Sequence, residues 1–193
     1  MSIVRTALES LAPYSQSRII DPLEHPKKEK EGSDDYDARI WRERIHQRDG
    51  EVVIPAMALK NALSEAAKYL SIQIQGKGKA TYTKHFEAGV LILDDPRTGI
   101  QADAVGAERL YLNADGRRGG STRVWRRMPR IDSWRADVDW HILDPIITQE
   151  VFLRTLREAG NLIGIGRWRP RNNGIYGRFH CTSHSWVQQD ETI

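Results

Sequence analysis

Arginine and glycine alternate in one stretch near the C-terminal end of the chain, Gly164–Phe179. The arginine guanidinium is planar, permanently charged and suited to phosphate, and glycine permits positive φ and close approach of another backbone. Aromatic rings between these residues offer faces on which a nucleobase can stack. The pattern predicts a clamp for a nucleic-acid backbone, and the alternative is a charged turn without a ligand. The candidate binding residues are Gly164, Gly166, Arg167, Trp168, Arg169, Arg171, Gly174, Tyr176, Gly177 and Arg178.

A second group of arginines lies upstream, in the segment 108–130, which contains the turn-rich sequence ADGRRGGS. Two short apolar runs joined by such a loop are typical of a hairpin. We therefore expect a hairpin that adds cations to the same binding surface. Its candidate binding residues are Arg117, Arg118, Arg123, Arg126 and Arg127.

Composition favours a polyanionic partner. The net charge is only +3, but acids gather between Glu29 and Asp37, and arginines gather between Arg109 and Arg178. Such asymmetry favours binding of a polyanion to one face. A lone Cys181 excludes an intrachain disulfide and predicts a cytoplasmic protein. No run approaches the ~20 apolar residues of a membrane span, so no membrane association is expected.

Acidic residues in a polar segment raise the question of catalysis. Asp34, Asp35 and Asp37 are oxygen ligands that a hard cation accepts, and the nearby His46 is a candidate acid or base for RNA cleavage. Acids in such a segment are more often solvated, and we expect these to be structural or solvated. No catalytic residue is predicted.

Two further motifs fall short of a metal or nucleotide site. His180, Cys181 and His184 supply three local zinc ligands, but a strand would turn neighbouring side chains to opposite faces. The sequence Gly76–Lys79 lacks the full spacing of a phosphate-binding loop. Neither a metal nor a cofactor is predicted.

Periodicity predicts a single α+β domain over residues 1–193. The predicted elements are a strand at Ser2–Leu11, a helix at Ala58–Leu70, strands at Val90–Leu93 and Trp134–Leu143, a helix at Thr148–Ile163 and a strand at Ile175–Thr182. The segment Gln73–Lys84 is predicted to be an exposed loop. This order is the βαββαβ pattern of a ferredoxin-like or RRM-like palm.

Two excursions interrupt this palm, at residues 20–50 and 108–130. The first is polar and rich in breakers, and within it Tyr36–Arg48 is a short helix, an extended finger or a solvated loop. The first excursion begins acidic and the second is basic. Complementary arms favour head-to-tail contact between copies, and hence a homo-oligomer or filament.

Two motifs resemble one protein superfamily. Val53–Ala67 (VIPAMALKNALSEAA) resembles the IPGSSLKGALR segment that opens the first helix in the RAMP superfamily, the RNA-binding proteins of CRISPR effector complexes. Asn61 replaces the usual glycine. Gly164–Phe179 is similar to that superfamily's glycine-rich loop, which contacts guide RNA. The resemblance adds Lys60 to the candidate binding residues.

The likeness is nearest to the backbone subunits of those complexes, or to a stand-alone relative carried by a phage. It implies an RRM-like palm, a thumb-like inserted hairpin and side-by-side assembly with other effector subunits. We therefore expect a protein that binds single-stranded nucleic acid, RNA rather than DNA, and assembles along it. The alternatives are an endoribonuclease of the same superfamily and a phage structural or assembly protein.

Overall fold

The computed structural model describes residues 1–113 and 122–188. The helices are α1 (Ser33–Ile40), α2 (Ala56–Leu70), α3 (Thr83–Gly89) and α4 (Gln149–Glu158). The strands are β1 (Ser2–Ser10), β2 (Gln47–Arg48), β3 (Glu51–Val53), β4 (Val90–Leu91), β5 (Arg97–Gln101), β6 (Gly106–Asn113), β7 (Arg123–Arg130), β8 (Arg135–Ile142) and β9 (Phe179–Gln188). None of the helices in the described ranges is both long and apolar enough to cross a membrane.

A four-stranded antiparallel sheet, in the order β4-β8-β1-β9, supports the rest of the chain. Side chains alternate along β8, so that Val138 and Trp140 are buried on one face. Apolar residues of α2 and α4 cover that face, and the Trp140 ring lies 5.5 Å from the Phe152 ring. The α+β class is confirmed, and the predicted strands at Ser2–Leu11 and Trp134–Leu143 agree with β1 and β8 to within one residue at each end.

Local signals explain both major helices. Helix α2 begins directly after Pro55, whose missing N–H costs little at that place. Helix α4 has Thr148 as its N-cap, and the hydroxyl accepts a hydrogen bond of 3.3 Å from the Val151 amide. The predicted helix continues to Ile163, but the chain changes at Ala159 into a short π-helical turn.

Three segments differ from the expectations. The Gln73–Lys84 loop buries Ile74 and Tyr82, and the helix α3 that begins at its end was not predicted. Strand β9 begins at Phe179, because the residues from Ile175 belong to the glycine-rich loop. The segment 20–50 is not wholly solvated, since it contains helix α1 and places Ile40 and Ile45 in the interior.

Candidate nucleic-acid interface

The glycine-rich loop is held in one conformation by the chain's own backbone. The Ile165 amide donates to the Gly177 carbonyl at 3.0 Å, and the Gly177 amide donates to the Pro13 carbonyl at 2.7 Å. The Arg167 amide donates to the Ser15 carbonyl at 3.0 Å. These bonds fix the loop against the segment that follows β1.

Its glycines are required by this internal packing. A Cβ atom on Gly174 would lie 1.7 Å from the Trp168 carbonyl oxygen, and one on Gly177 would lie 1.8 Å from that of Ile165. Gly177 also has φ +68°, in the left-handed region that favours glycine. The close approach in this structure is therefore between two parts of the same chain. A contact between these glycines and a nucleic acid stays a prediction.

Several of the candidate cations already contact carboxylates or carbonyl groups of the protein. Arg169 and Arg171 form ion pairs with Glu65 of α2, at 3.5 and 2.5 Å. Arg178 donates to the Asn161 carbonyl at 2.5 Å, and the Lys60 ammonium donates to the Glu87 carbonyl at 2.7 Å. A phosphate at these residues would have to compete with a partner within the protein.

The Tyr176 side chain is largely buried in this structure. The residue is 9% exposed, and its hydroxyl donates to Glu108 Oε2 at 2.6 Å. Burial and the neighbouring Glu108 carboxylate raise the pKa of Tyr176 to about 12. Its ring supports Trp168 edge-on, with the ring centres 5.6 Å apart. Trp168 itself is partly exposed and carries the Arg167 guanidinium over its ring at 5.1 Å.

The hairpin β6–β7 carries an aromatic pair that the sequence did not reveal as a pair. Tyr111 lies opposite Trp125, with ring centres 5.1 Å apart, and the two residues are 51% and 42% exposed. The Arg109 guanidinium lies over the Trp125 ring at 4.2 Å. Strand alternation places Arg123 and Arg127 on the same face of the hairpin as Trp125. The candidate residues Arg117 and Arg118 lie outside the described residues.

Asp37 is buried at the junction between the two excursions. Its Oδ2 atom lies 2.6 Å from Arg126 Nε, and its Oδ1 atom accepts a hydrogen bond of 3.2 Å from Arg44. The Arg127 amide donates to Asp37 Oδ2 at 3.3 Å. Of the two roles expected for the acidic segment, structural or solvated, Asp37 has the structural one, because Arg126 of β7, which is distant in sequence, pairs with it.

Arg167 approaches this junction from the glycine-rich loop. Its guanidinium donates to the Ser17 hydroxyl at 3.2 Å. Burial, and then the positive charges of Arg44 and Arg126, lower the pKa of Arg167. The hairpin and the glycine-rich loop, both predicted as nucleic-acid contacts, therefore bring cations to one place.

The opposite charges of the two excursions form ion pairs within the chain. Besides the Asp37 contacts, Arg109 of β6 forms an ion pair of 2.6 Å with Asp34 of α1. The complementarity that favoured head-to-tail contact is thus satisfied internally. A homo-oligomer or filament stays a prediction, and it needs other contacts.

The acidic residues do not form a metal site. Asp34 and Asp37 are paired with arginines, and residues 1–113 and 122–188 contain no group of three His, Cys, Asp or Glu side chains arranged to hold a metal ion. His46 lies apart, its amide bonded to Gln16 Oε1. Burial, and then the charge of Arg18, lower the pKa of the His46 imidazole.

The sheet face opposite α2 and α4 is not a stacking platform. It carries charged pairs such as Arg5 with Asp139 at 3.6 Å and Arg135 with Glu9 at 3.6 Å. The pairing registers place no Phe, Tyr or Trp of the four described strands on this face. Base stacking on the sheet, the usual mode of an RRM, is therefore not available here.

Comparison with solved structures reveals a likeness of fold. A chain of the Type III-B Cmr-beta complex bound to cognate target RNA matches with a TM-score of 0.56 at 11% sequence identity, over 97% of this chain and 61% of that chain. This chain thus spans about three-fifths of the length of that neighbour. At this identity the likeness concerns the fold alone.

Two further structural matches have lower TM-scores, and no conclusion about the fold rests on them. They are Cmr6 from Pyrococcus furiosus (TM-score 0.49, 10% identity, 94% of this chain and 99% of that chain) and a chain of a CRISPR RNA-guided surveillance complex (TM-score 0.41, 10% identity, 99% of this chain and 71% of that chain). No protein-family model matches the chain, and no curated protein matches its sequence.

Proposed function

We propose that this protein binds single-stranded nucleic acid, RNA rather than DNA, as a subunit of an RNA-containing effector assembly of the CRISPR kind. The fold it shares with a chain of the Cmr-beta complex, which is bound to target RNA, supports this proposal. We also infer that the palm is ferredoxin-like, since the sheet order β4-β8-β1-β9 and two covering helices fit that pattern.

One observation carries the proposal, the outer face of the hairpin. Two exposed aromatic rings, Tyr111 and Trp125, lie on it among Arg109, Arg123 and Arg127. Within the described residues the side chains of Arg123 and Arg127 take part in no ion pair with a carboxylate. Exposed rings for bases beside cations for phosphates are what binding of a single strand requires, whereas a folded chain gains little by exposing them.

The test is binding of a labelled 15-nucleotide oligouridylate, measured by fluorescence anisotropy. Trp125→Ala should lose about 1–3 kcal/mol of binding free energy, the amount that one stacked base contributes. Trp125→Phe retains a ring and should recover most of the affinity. Equal affinity of both variants and the unmodified protein would remove the hairpin from the site.

Matched DNA and duplex ligands complete the test. We expect oligouridylate to bind more tightly than oligothymidylate, as proposed for an RNA ligand. A blunt duplex RNA should bind least, because stacking on Tyr111 and Trp125 needs unpaired bases. Assembly along the ligand is followed by light scattering on oligonucleotides of increasing length. A duplex that binds as tightly as the single strand would contradict the proposal.

A further inference from the structure

Two arginines contact one carboxylate where the hairpin meets the α1 segment, and Arg167 of the glycine-rich loop lies near them. Arg44 and Arg126 contact Asp37 directly, and Arg167 lies close enough for their charges to act on it. This Asp37 arginine cluster therefore carries three positive charges against one negative charge. Partly buried charge of one sign is unfavourable unless a counter-charge is supplied.

Several polar atoms in the cluster lack partners in the protein. The Nε atoms of Arg44 and Arg167 are buried without a hydrogen-bond partner. Arg126 Nε lies near Asp37 Oδ2, but it also makes no aligned hydrogen bond. Buried polar groups in native proteins are nearly always satisfied. These nitrogens are themselves buried, so an acceptor from outside the chain would have to meet the exposed parts of the Arg44 and Arg126 side chains.

The cluster is accessible from the surface. The side chains of Arg44 and Arg126 remain 14% and 29% exposed, whereas that of Asp37 is only 1% exposed. Asp37 is thus a positioning residue, which holds Arg44 and Arg126 side by side. Guanidinium groups held in this way bind phosphate oxygens through short, charge-assisted hydrogen bonds.

We propose that the Asp37 arginine cluster binds a phosphomonoester, as found at the end of a nucleic-acid strand or on a mononucleotide. A phosphomonoester carries about −1.5 to −2 charges at pH 7 and so balances the surplus of the cluster, whereas an internal phosphodiester carries one charge and leaves about half of it. The inference rests on the proposed function only where a nucleic-acid strand carries the phosphate.

Arg167→Gln is the informative variant. Arg167 forms no ion pair with a carboxylate among the described residues, so this change removes one charge of the surplus without leaving Asp37 unpaired. The protein is therefore expected to fold. Arg135→Gln is the matched control, because it removes one exposed arginine from the outer face of the sheet, the face opposite α2 and α4.

The experiment compares three 15-nucleotide oligouridylates, one with a 5′-phosphate, one with a 3′-phosphate and one with hydroxyls at both ends. Because Arg167 is also a candidate for general binding, the readout is the ratio of affinities for phosphorylated and hydroxyl forms. The unmodified protein and Arg135→Gln should prefer one phosphorylated end by about tenfold, as one charge-assisted contact provides. In Arg167→Gln the ratio should fall towards one.

Equal affinity for all three ligands would overturn the proposal, and so would a preference that persists in Arg167→Gln. If none of the oligonucleotides binds, the proposed function fails, and uridine 5′- and 3′-monophosphate become the probes in thermal unfolding. An increase in melting temperature with either nucleotide, absent with uridine and absent in Arg167→Gln, would still support the phosphomonoester site. No increase would overturn it.

Discussion

The Nε atom of Arg126 lies 2.6 Å from the Oδ2 atom of Asp37, and this contact joins the hairpin to helix α1 within one chain. Asp37 is fully buried, and Arg44 contacts its Oδ1 atom at 3.2 Å. The acidic and the basic excursion therefore act on each other, and the junction orients the hairpin whose outer face carries the aromatic pair.

Replacing Asp37 should destabilise the fold. Asp37→Asn leaves Arg44 and Arg126 partly buried without a counter-charge, and removal of one partner from a buried ion pair costs about 3–5 kcal/mol. Because these arginines are partly exposed, we expect the free energy of unfolding in urea to fall towards the lower end of that range. Asp35→Asn is the control, since Asp35 is exposed and has no ion pair among the described residues. Equal stability of both variants would contradict the role of Asp37.

The packing of the glycine-rich loop predicts a contrast between two glycines. Gly177 and Gly78 both have positive φ, but only at Gly177 would an added Cβ meet backbone, 1.8 Å from the Ile165 carbonyl oxygen. Gly78→Ala should cost about 1–2 kcal/mol of unfolding free energy, from the left-handed conformation alone. Gly177→Ala should cost clearly more, or prevent folding. Thermal unfolding of both variants measures the difference, and equal melting temperatures would refute the close approach.

The sequence was sufficient for the parts of the fold that depend on local pattern. The alternation of β8, the Thr148 cap and the spacing of α2 are each set by neighbours along the chain. It was insufficient where the partner is remote. A structural and a solvated role for Asp37 could not be told apart, because its arginine on β7 is 89 positions away.

The candidate site, too, was predictable from the sequence only in part. The glycines and arginines of the loop were recognisable by type, but their use of Glu65 and of the Ser15 carbonyl depends on tertiary packing. The pairing of Tyr111 with Trp125 depends on the hairpin register, and no sequence signal fixed that register. The single carboxylate among three arginines likewise becomes visible only when three segments meet.

Glu65 should limit binding by the glycine-rich loop. Its carboxylate pairs with both Arg169 and Arg171, so Glu65→Gln frees two cations. Exposed ion pairs contribute about 0.2–1 kcal/mol, and we therefore expect single-stranded RNA to bind about two- to fivefold more tightly. Glu87→Gln, a nearby exposed carboxylate in the same cleft, is the control. A fall in affinity, or a gain equal to that of the control, would exclude these arginines from the site.

The pair formed by His85 and Asp144 predicts a pH dependence of stability. Burial would raise the pKa of Asp144, but hydrogen bonds from His85 Nδ1 at 2.6 Å and the Ile146 amide at 3.0 Å outweigh it and lower the pKa. A carboxyl group whose pKa is lowered by folding stabilises the fold above its unfolded pKa and loses this contribution as the pH falls through the folded value.

The unfolding free energy should therefore fall below about pH 4, the unfolded pKa of aspartate, and should fall less steeply in Asp144→Asn. Urea unfolding at pH 6, 4 and 3 measures this. Asp94→Asn, at an exposed position, should follow the unmodified protein. Parallel curves for all three proteins would show that Asp144 contributes nothing.

The salt dependence of RNA binding shows whether the outer face of the hairpin contacts phosphates. For a single strand, each phosphate contact contributes about 0.7 to the slope of log K against log salt concentration. The double variant Arg123→Gln with Arg127→Gln should therefore flatten the slope by about 1.4, while Arg5→Gln with Arg135→Gln on the outer sheet face should leave it unchanged. Absence of RNA binding at low salt, or an equal slope in both double variants, would show that this face does not bind RNA.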